Sequence, residues 1–213
     1  MYDCIIMLDK IKKNLTKIFK GKSVVKKYKK YDIKKYLLKS KKYNENKIPR
    51  ILQKVITEFK YFQRTLRNHT EYDIRSPIIP EFITENLVML AIKKYLGDPT
   101  VTRKCSGDLV SELLGLIEVK AFSSNGPNSF STYMKWDSLF FCDCRVFDQD
   151  EIFIYKVENT LEEFKKLMVT KDKNFQDCED IGMRAKISFD SLKEQKNFKY
   201  TQIYKGSYKK LLV

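Results

Sequence analysis

The sequence predicts an α/β protein with a central mixed β-sheet flanked by helices. Three observations carry this expectation. Apolar residues recur at helical spacing as far as Leu96, the period shortens to that of strands from Val101, and the C-terminal third mixes the two. Hydrophobic residues make up 43% of the 213 and aromatics 13%, enough to build a packed core.

Charge divides the chain. The net charge is +15, and residues 1–60 alone hold 19 Lys/Arg against 5 Asp/Glu. Residues 1–47 alternate lysine pairs with Ile, Leu, Tyr and Phe, and Tyr28, Tyr31 and Tyr36 or Leu38 fall at helical spacing. We therefore expect a basic helical N-terminal arm over 1–47 and a folded domain over 48–213. Such a field attracts polyanions, nucleic acid first and an acidic membrane surface second. The bland alternative is a solvated lysine-rich face with tyrosines that pack a helix onto its neighbour.

The elements follow in order. After Pro49, the residues Ile51, Leu52, Val55, Ile56, Phe59 and Phe62 or Leu66 mark an amphipathic helix. Ser76-Pro77-Ile78-Ile79-Pro80 is an extended connector, because residues before proline avoid the helical region. A third helix carries Phe82, Leu87, Val88, Leu90, Ala91, Ile92 and Leu96, and Gly97-Asp98-Pro99 ends it. Val101–Cys105, Asp108–Ser111 and Leu116–Phe122 are short and β-prone, and Gly115 turns the last two into a hairpin. Ser123–Ser129 is a loop with turn chemistry. Ser138–Phe147 suits a strand buried on both faces. Glu151–Val157 is expected as a strand, Leu161–Met168 as a short helix, and Ile187–Phe189 and Gln202–Tyr204 as late strands.

Other classes recede. No stretch approaches the roughly 18 apolar residues of a membrane helix. The N-terminus lacks the basic head and apolar run of a secretory signal, so a cytoplasmic location is expected. Five cysteines without a Cys-x-x-Cys pair, and His69 as the single histidine, fit no zinc site. Cys142 and Cys144 read as small core residues, Trp136 as core and His69 as structural.

One segment suggests chemistry. Along the second hairpin strand Glu118 and Lys120 share a face, while Ile117, Val119 and Ala121 take the other. Hairpin pairing brings Asp108 beside them. Two carboxylates and an amine on an otherwise apolar sheet are costly to bury without a purpose. Asp108, Glu118 and the Val119 carbonyl offer hard oxygen ligands suited to Mg²⁺, and Lys120 would orient a water or stabilise charge on a phosphate. Glu85, or Glu81 one turn away, adds a carboxylate from the third helix. The alternative is an exposed ion pair on a surface hairpin.

Asp108 with Glu118-x-Lys120 resembles the PD-(D/E)xK nuclease motif, with Gly107 in place of its proline. The likeness runs through Ser106-Gly107-Asp108, Ile117-Glu118-Val119-Lys120, Gly126-Pro127-Asn128-Ser129-Phe130-Ser131 and Trp136-Asp137, and covers roughly residues 80–190. It is similar to the small type II restriction endonucleases that cut short G·C-containing palindromes. The resemblance implies a restriction-endonuclease-like core and Mg²⁺-dependent hydrolysis of double-stranded DNA at a short specific sequence. It also implies a homodimer and a possible cognate DNA methyltransferase. Ser123, Ser124, Asn125, Asn128 and Ser129 follow the metal strand and would contact DNA. Lys135, Arg184 and Lys186 would join them, with Gly182-Met183-Arg184 resembling a basic stretch late in the same enzymes. Rival readings are a structure-selective or repair nuclease of the same fold, and a noncatalytic nucleic-acid-binding protein.

Overall fold

The computed structural model describes residues 47–68, 78–103 and 108–213. The expected N-terminal arm, His69, Ser76-Pro77, Cys4, Cys105 and the Ser106-Gly107 pair lie outside the described residues.

Helix α1 (Ile48–Asn68) forms where the first amphipathic pattern was expected, but it is rotated from the expected stripe. Leu52 and Ile56 are buried, and the buried line continues through Lys60 and Gln63. Ile51 and Phe62, expected inside, are about half exposed, at 48% and 50%. The reason is Lys60. Its apolar stem lies along the core while its ammonium pairs with Asp150 and stacks over Phe147 and Tyr208, at 5.0 and 4.9 Å from the ring centres. A lysine thus occupies a place that a polar/apolar reading reserves for a hydrophobe.

Helix α2 (Glu81–Ala91) starts after Pro80 and runs into a π-helical turn, Ile92–Leu96. Gly97, at φ +65°, ends it where the Gly-Asp-Pro signal stands. Ile83, Leu87, Val88, Ala91 and Ile92 are all buried, so α2 is the central helix of one layer.

The sheet has the strand order β1-β2-β3-β5-β6-β8. Its members are β1 (Thr102–Arg103), β2 (Leu109–Ser111), β3 (Gly115–Phe122), β5 (Ser138–Asp143), β6 (Glu151–Val157) and β8 (Tyr200–Ser207). Only β3 and β5 pair in parallel; the other neighbours are antiparallel, so the sheet is mixed. Strand alternation divides the core. Ile117, Phe140, Cys142, Ile152 and Ile154 face α1 and α2. Phe122, Leu139, Phe141 and Val157 face a second, aromatic core with Phe130, Phe164, Phe175, Phe189 and Phe198. Small helices α3 (Leu161–Lys165), α4 (Phe175–Asp180) and α5 (Phe189–Lys193) supply much of that layer. Cys142 and Cys144 are core residues, as expected.

Local polar chemistry accounts for the other departures. The expected strand Ser138–Phe147 ends at Asp143, whose carboxylate accepts from the Arg145 N–H and turns the chain. The expected strand Ile187–Phe189 is reduced to β7 (Lys186–Ile187), because the Ser188 side chain caps α5 and draws Phe189 into it. The expected helix Leu161–Met168 ends at Lys165; of the first β stretch, Thr102–Arg103 form a strand and Lys104–Cys105 lie outside the described residues. Within the expected loop, β4 (Asn128–Ser129) pairs with β7. Helix α4, capped by Asn174 in a reciprocal capping box, was not anticipated: six residues are too few to show a period.

Candidate active site

The hairpin β2–β3 builds the site. Leu109 pairs with Ile117, Val110 with Leu116 and Ser111 with Gly115. The tight turn depends on Gly115, at φ +70°, where an added Cβ would sit 2.4 Å from Asp137 Oδ2. The same Oδ2 accepts from the Leu116 N–H at 2.9 Å, so Asp137 holds the start of β3.

Along β3 the apolar side chains Ile117, Val119 and Ala121 pack towards the α1/α2 layer. Glu118 and Lys120 lie on the opposite face by strand alternation. Lys120 Nζ is 2.5 Å from Glu118 Oε1 and stacks over Phe130 at 5.5 Å from the ring centre. Both side chains are half-buried, Glu118 at 29% and Lys120 at 19% exposure. Asp108 reaches β3 from the position just before β2: its Oδ2 accepts from the Val119 N–H at 2.6 Å.

The carboxylates feel one another. Burial pushes the Asp108 carboxyl up to about 6, and the negative charge of Glu118 adds to the rise against the Val119 hydrogen bond and Lys120. Glu85, on α2, is buried at 4% exposure and held by Arg103 at 2.5 Å. Burial pushes it up to about 7; Arg103 opposes the rise, and the charges of Asp108 and Glu81 reinforce it. The structure therefore gathers Asp108, Glu118 and Lys120 at one end of the hairpin, with Glu85 near enough to sense Asp108. Glu81 is exposed.

The donor set suits a hard divalent cation. It comprises two carboxylates, one of them with a raised proton affinity, and a strand carrying the Val119 main chain. Among the described residues, no group of three or more His, Cys, Asp or Glu side chains is placed to hold a metal ion, so the protein side chains would supply part of a shell and water the remainder.

The residues expected at DNA fall into two groups. Ser123, Ser124 and Asn125 are exposed just beyond β3, and Asn125 Oδ1 accepts from Arg145 Nη1 at 2.7 Å. Asn128 and Ser129 form β4, opposite Ile187 and Lys186 of β7, so two distant stretches of sequence meet in one ribbon. Ser129, Arg184 and Lys186 are exposed there, and Asn128 is half-buried. Lys135 is exposed on the segment leading to β5, and Trp136 is core.

Three residues near the site were not assigned from the sequence. Arg103 holds Glu85. Asp137 fixes β3. Arg145 joins Asp143, Asn125 and Asp190 and stacks on Phe122, which ties the loop after β3 to the end of β5. Arg103 and Arg145 had no local signal, because their partners lie 18 and 20 or more residues away, apart from Asp143. A carboxylate directly after Trp136 was the only trace of Asp137.

Among the described residues, no helix is long and apolar enough to cross a membrane. No curated protein and no solved structure matches the chain. The family model of the Bsp6I restriction endonuclease matches residues 43–193, most of the chain and all of the hairpin site. The chain belongs to the Bsp6I restriction endonuclease family.

Proposed function

We propose that this protein is a type II restriction endonuclease that hydrolyses phosphodiester bonds of double-stranded DNA at a short specific sequence, with Asp108, Glu118 and Lys120 as its cutting centre. Family membership supports the nuclease reading. The observation that carries the assignment of residues is the approach of Asp108 to β3, where its carboxylate and that of Glu118 share one local field beside Lys120.

Asp108, Glu118 and the Val119 carbonyl would hold Mg²⁺, which supplies an acidic bound water and neutralises charge on the phosphate oxygens. The protein's own groups do the rest. Asp108 and Glu118 must both be ionised, so their mutual repulsion is the ground on which a cation binds. Lys120 is kept beside Glu118 and presents an ammonium to the non-bridging oxygens or to the attacking water. Attack of water in line at phosphorus would break the P–O3′ bond, leaving a 5′-phosphate and, once the departing oxygen takes a proton, a 3′-hydroxyl. Glu85, held by Arg103, adds negative charge behind Asp108.

Cutting both strands of a palindrome calls for twofold symmetry, so the working form is a homodimer. A cognate DNA methyltransferase would protect the same site in the cell. The lysine-rich residues 1–47 would act as an arm that adds salt-sensitive, nonspecific affinity to the nuclease domain at 48–213.

The test incubates the purified protein with plasmid and Mg²⁺, beside Lys120→Ala and an EDTA control. Discrete fragments from wild type alone support the reading, and their ends give the site. Preference for branched over plain duplex would make it a structure-selective nuclease instead. Binding without cutting, equal in wild type and variant, would remove the catalytic role.

A further inference from the structure

The β4·β7 ribbon has two unlike faces. Asn128 pairs with Ile187 and Ser129 with Lys186, and the Phe130 N–H donates to the Ala185 carbonyl at 2.9 Å, which carries the same register onward. Residues opposite one another in an antiparallel pair share a face. Phe130, Ala185 and Ile187 are buried in the aromatic core and anchor the ribbon. Ser129 with Lys186, and Ser131 with Arg184 by extension of the register, form the other face, and all four are exposed.

That outer face carries two cations and two hydroxyls. No carboxylate and no large apolar side chain occurs at positions 128–131 or 184–187 apart from the buried Phe130 and Ile187. Its base is tied to α4: Gly182, at φ +68°, follows the helix, and the Met183 N–H donates to the Cys178 carbonyl at 2.8 Å immediately before Arg184. The ribbon also joins the cutting centre directly, since the ring of Phe130, between Ser129 and Ser131, lies under the Lys120 ammonium.

We propose that the outer face of this ribbon, Ser129, Ser131, Arg184 and Lys186, enters the major groove of duplex DNA and reads base edges beside the cut. The inference rests on the nuclease reading above and assigns the reading of sequence to one element. A two-stranded ribbon fits a major groove about 12 Å wide. An arginine fork matches the O6 and N7 acceptors of guanine, and serine hydroxyls serve either donor or acceptor edges. Because Phe130 bridges ribbon and Lys120, the base pairs read lie next to the phosphate that is cut.

The test separates base reading from phosphate contact by keeping the charge and changing its shape. Full-length Lys120→Ala protein, with Ca²⁺ in place of Mg²⁺, is used to select from a pool of randomised duplexes. The same selection is run with Arg184→Lys and with Lys186→Arg added, and thermal melting checks that each variant is folded. The expected result is a short motif from the parent. Arg184→Lys should lose enrichment at one or more base positions by roughly ten- to a hundredfold. Its affinity for an unselected duplex should stay within about twofold, because the charge is kept. An unchanged motif of unchanged depth from both variants would overturn the proposal, leaving phosphate contact alone. A parent that enriches no motif would overturn it as well. If the ribbon variants alter the motif but wild type with Mg²⁺ cuts nothing, the nuclease reading fails and the ribbon stands. Discrete cutting by wild type with indifferent ribbon variants would keep the nuclease and remove base reading from the ribbon.

Discussion

Asp108 Oδ2 accepts a hydrogen bond from the main-chain N–H of Val119 at 2.6 Å, and Val119 is the residue between Glu118 and Lys120. This bond fixes the spacing of the site. It holds one carboxylate against the backbone of the strand whose side chains supply the second carboxylate and the amine. The hydrogen bond favours the ionised form of Asp108, yet burial and Glu118 together outweigh it, and the carboxyl stands at about 6.

The position of that carboxyl sets a pH dependence. On the proposed reading Asp108 would hold a cation only when ionised, so protons should compete with Mg²⁺ as pH falls through about 6. The sign for stability is the reverse of an ordinary salt-bridged Asp. Its folded value lies above its unfolded one, so without a cation stability declines as pH rises from about 4 to 6. Mg²⁺ should therefore raise Tm at pH 8 and have little effect at pH 5. In cleavage, the Mg²⁺ needed for half-maximal rate should climb by up to about tenfold per pH unit below 6. Asp108→Asn should melt above wild type at pH 8 in EDTA and lose its response to Mg²⁺. A Tm that responds to Mg²⁺ equally at both pH values would place the cation elsewhere.

Lys120→Ala should separate activity from stability. The pair with Glu118 is partly solvated, so its loss should change stability by about 1 kcal/mol or less. The contact with Phe130 adds a comparable small amount. Cleavage should nonetheless fall by at least roughly a hundredfold, the scale expected when a group that stabilises transition-state charge is removed. Plasmid cleavage and thermal melting on the same preparation give both numbers. A variant that cuts at near wild-type rate would make the Glu118–Lys120 pair structural.

Much of this was legible in the sequence because the signals were local. Alternation along Ile117–Ala121 placed Glu118 and Lys120 on one face, Gly115 marked the turn, and Gly97-Asp98-Pro99 ended α2 where the structure ends it. What escaped depends on contacts made at a distance. Lys60 reads as surface until Asp150, Phe147 and Tyr208 arrive from residues nearly 90 positions or more away. The ribbon joins Asn128–Ser129 to Lys186–Ile187, and two-residue strands have no period to detect. The aromatic core gathers phenylalanines from three short helices, none long enough to show an amphipathic stripe.

Gly115→Ala tests whether the hairpin geometry depends on this turn. An alanine there must adopt φ +70° and bring its Cβ to 2.4 Å from Asp137 Oδ2. Strain and clash together should cost about 3 kcal/mol, lowering Tm by roughly 6–12 °C in a chain of this size. Asp137→Ala removes the obstructing carboxylate along with its bond to the Leu116 N–H. In that background the glycine substitution should cost less, and a double-mutant cycle by thermal melting measures the difference. Strict additivity would show that the Asp137 carboxylate yields freely, and that the turn and the Asp137 Cβ, 2.7 Å from the added Cβ, set the cost.

Glu85 offers the sharpest opposition between stability and function. Its folded value of about 7 lies above the 4.5 of a free glutamate even with Arg103 beside it. Burial therefore outweighs the ion pair, and ionised Glu85 is a net burden on the fold. Between pH 4.5 and 7 the native state holds the extra proton, so stability declines across that window and the full penalty is present above it. Glu85→Gln keeps an acceptor for Arg103 and abolishes the titration. At pH 8 it should stabilise the protein by about 1–2 kcal/mol, with the gap closing at pH 5. If the negative charge of Glu85 adds to the field that draws a cation to Asp108, the same variant should cut more slowly although it melts later. Melting curves at the two pH values and plasmid cleavage at pH 8 decide it. A Glu85→Gln protein that melts earlier at pH 8 would mean that the pair with Arg103 is worth more than the burial it requires, and that Glu85 is retained for the fold.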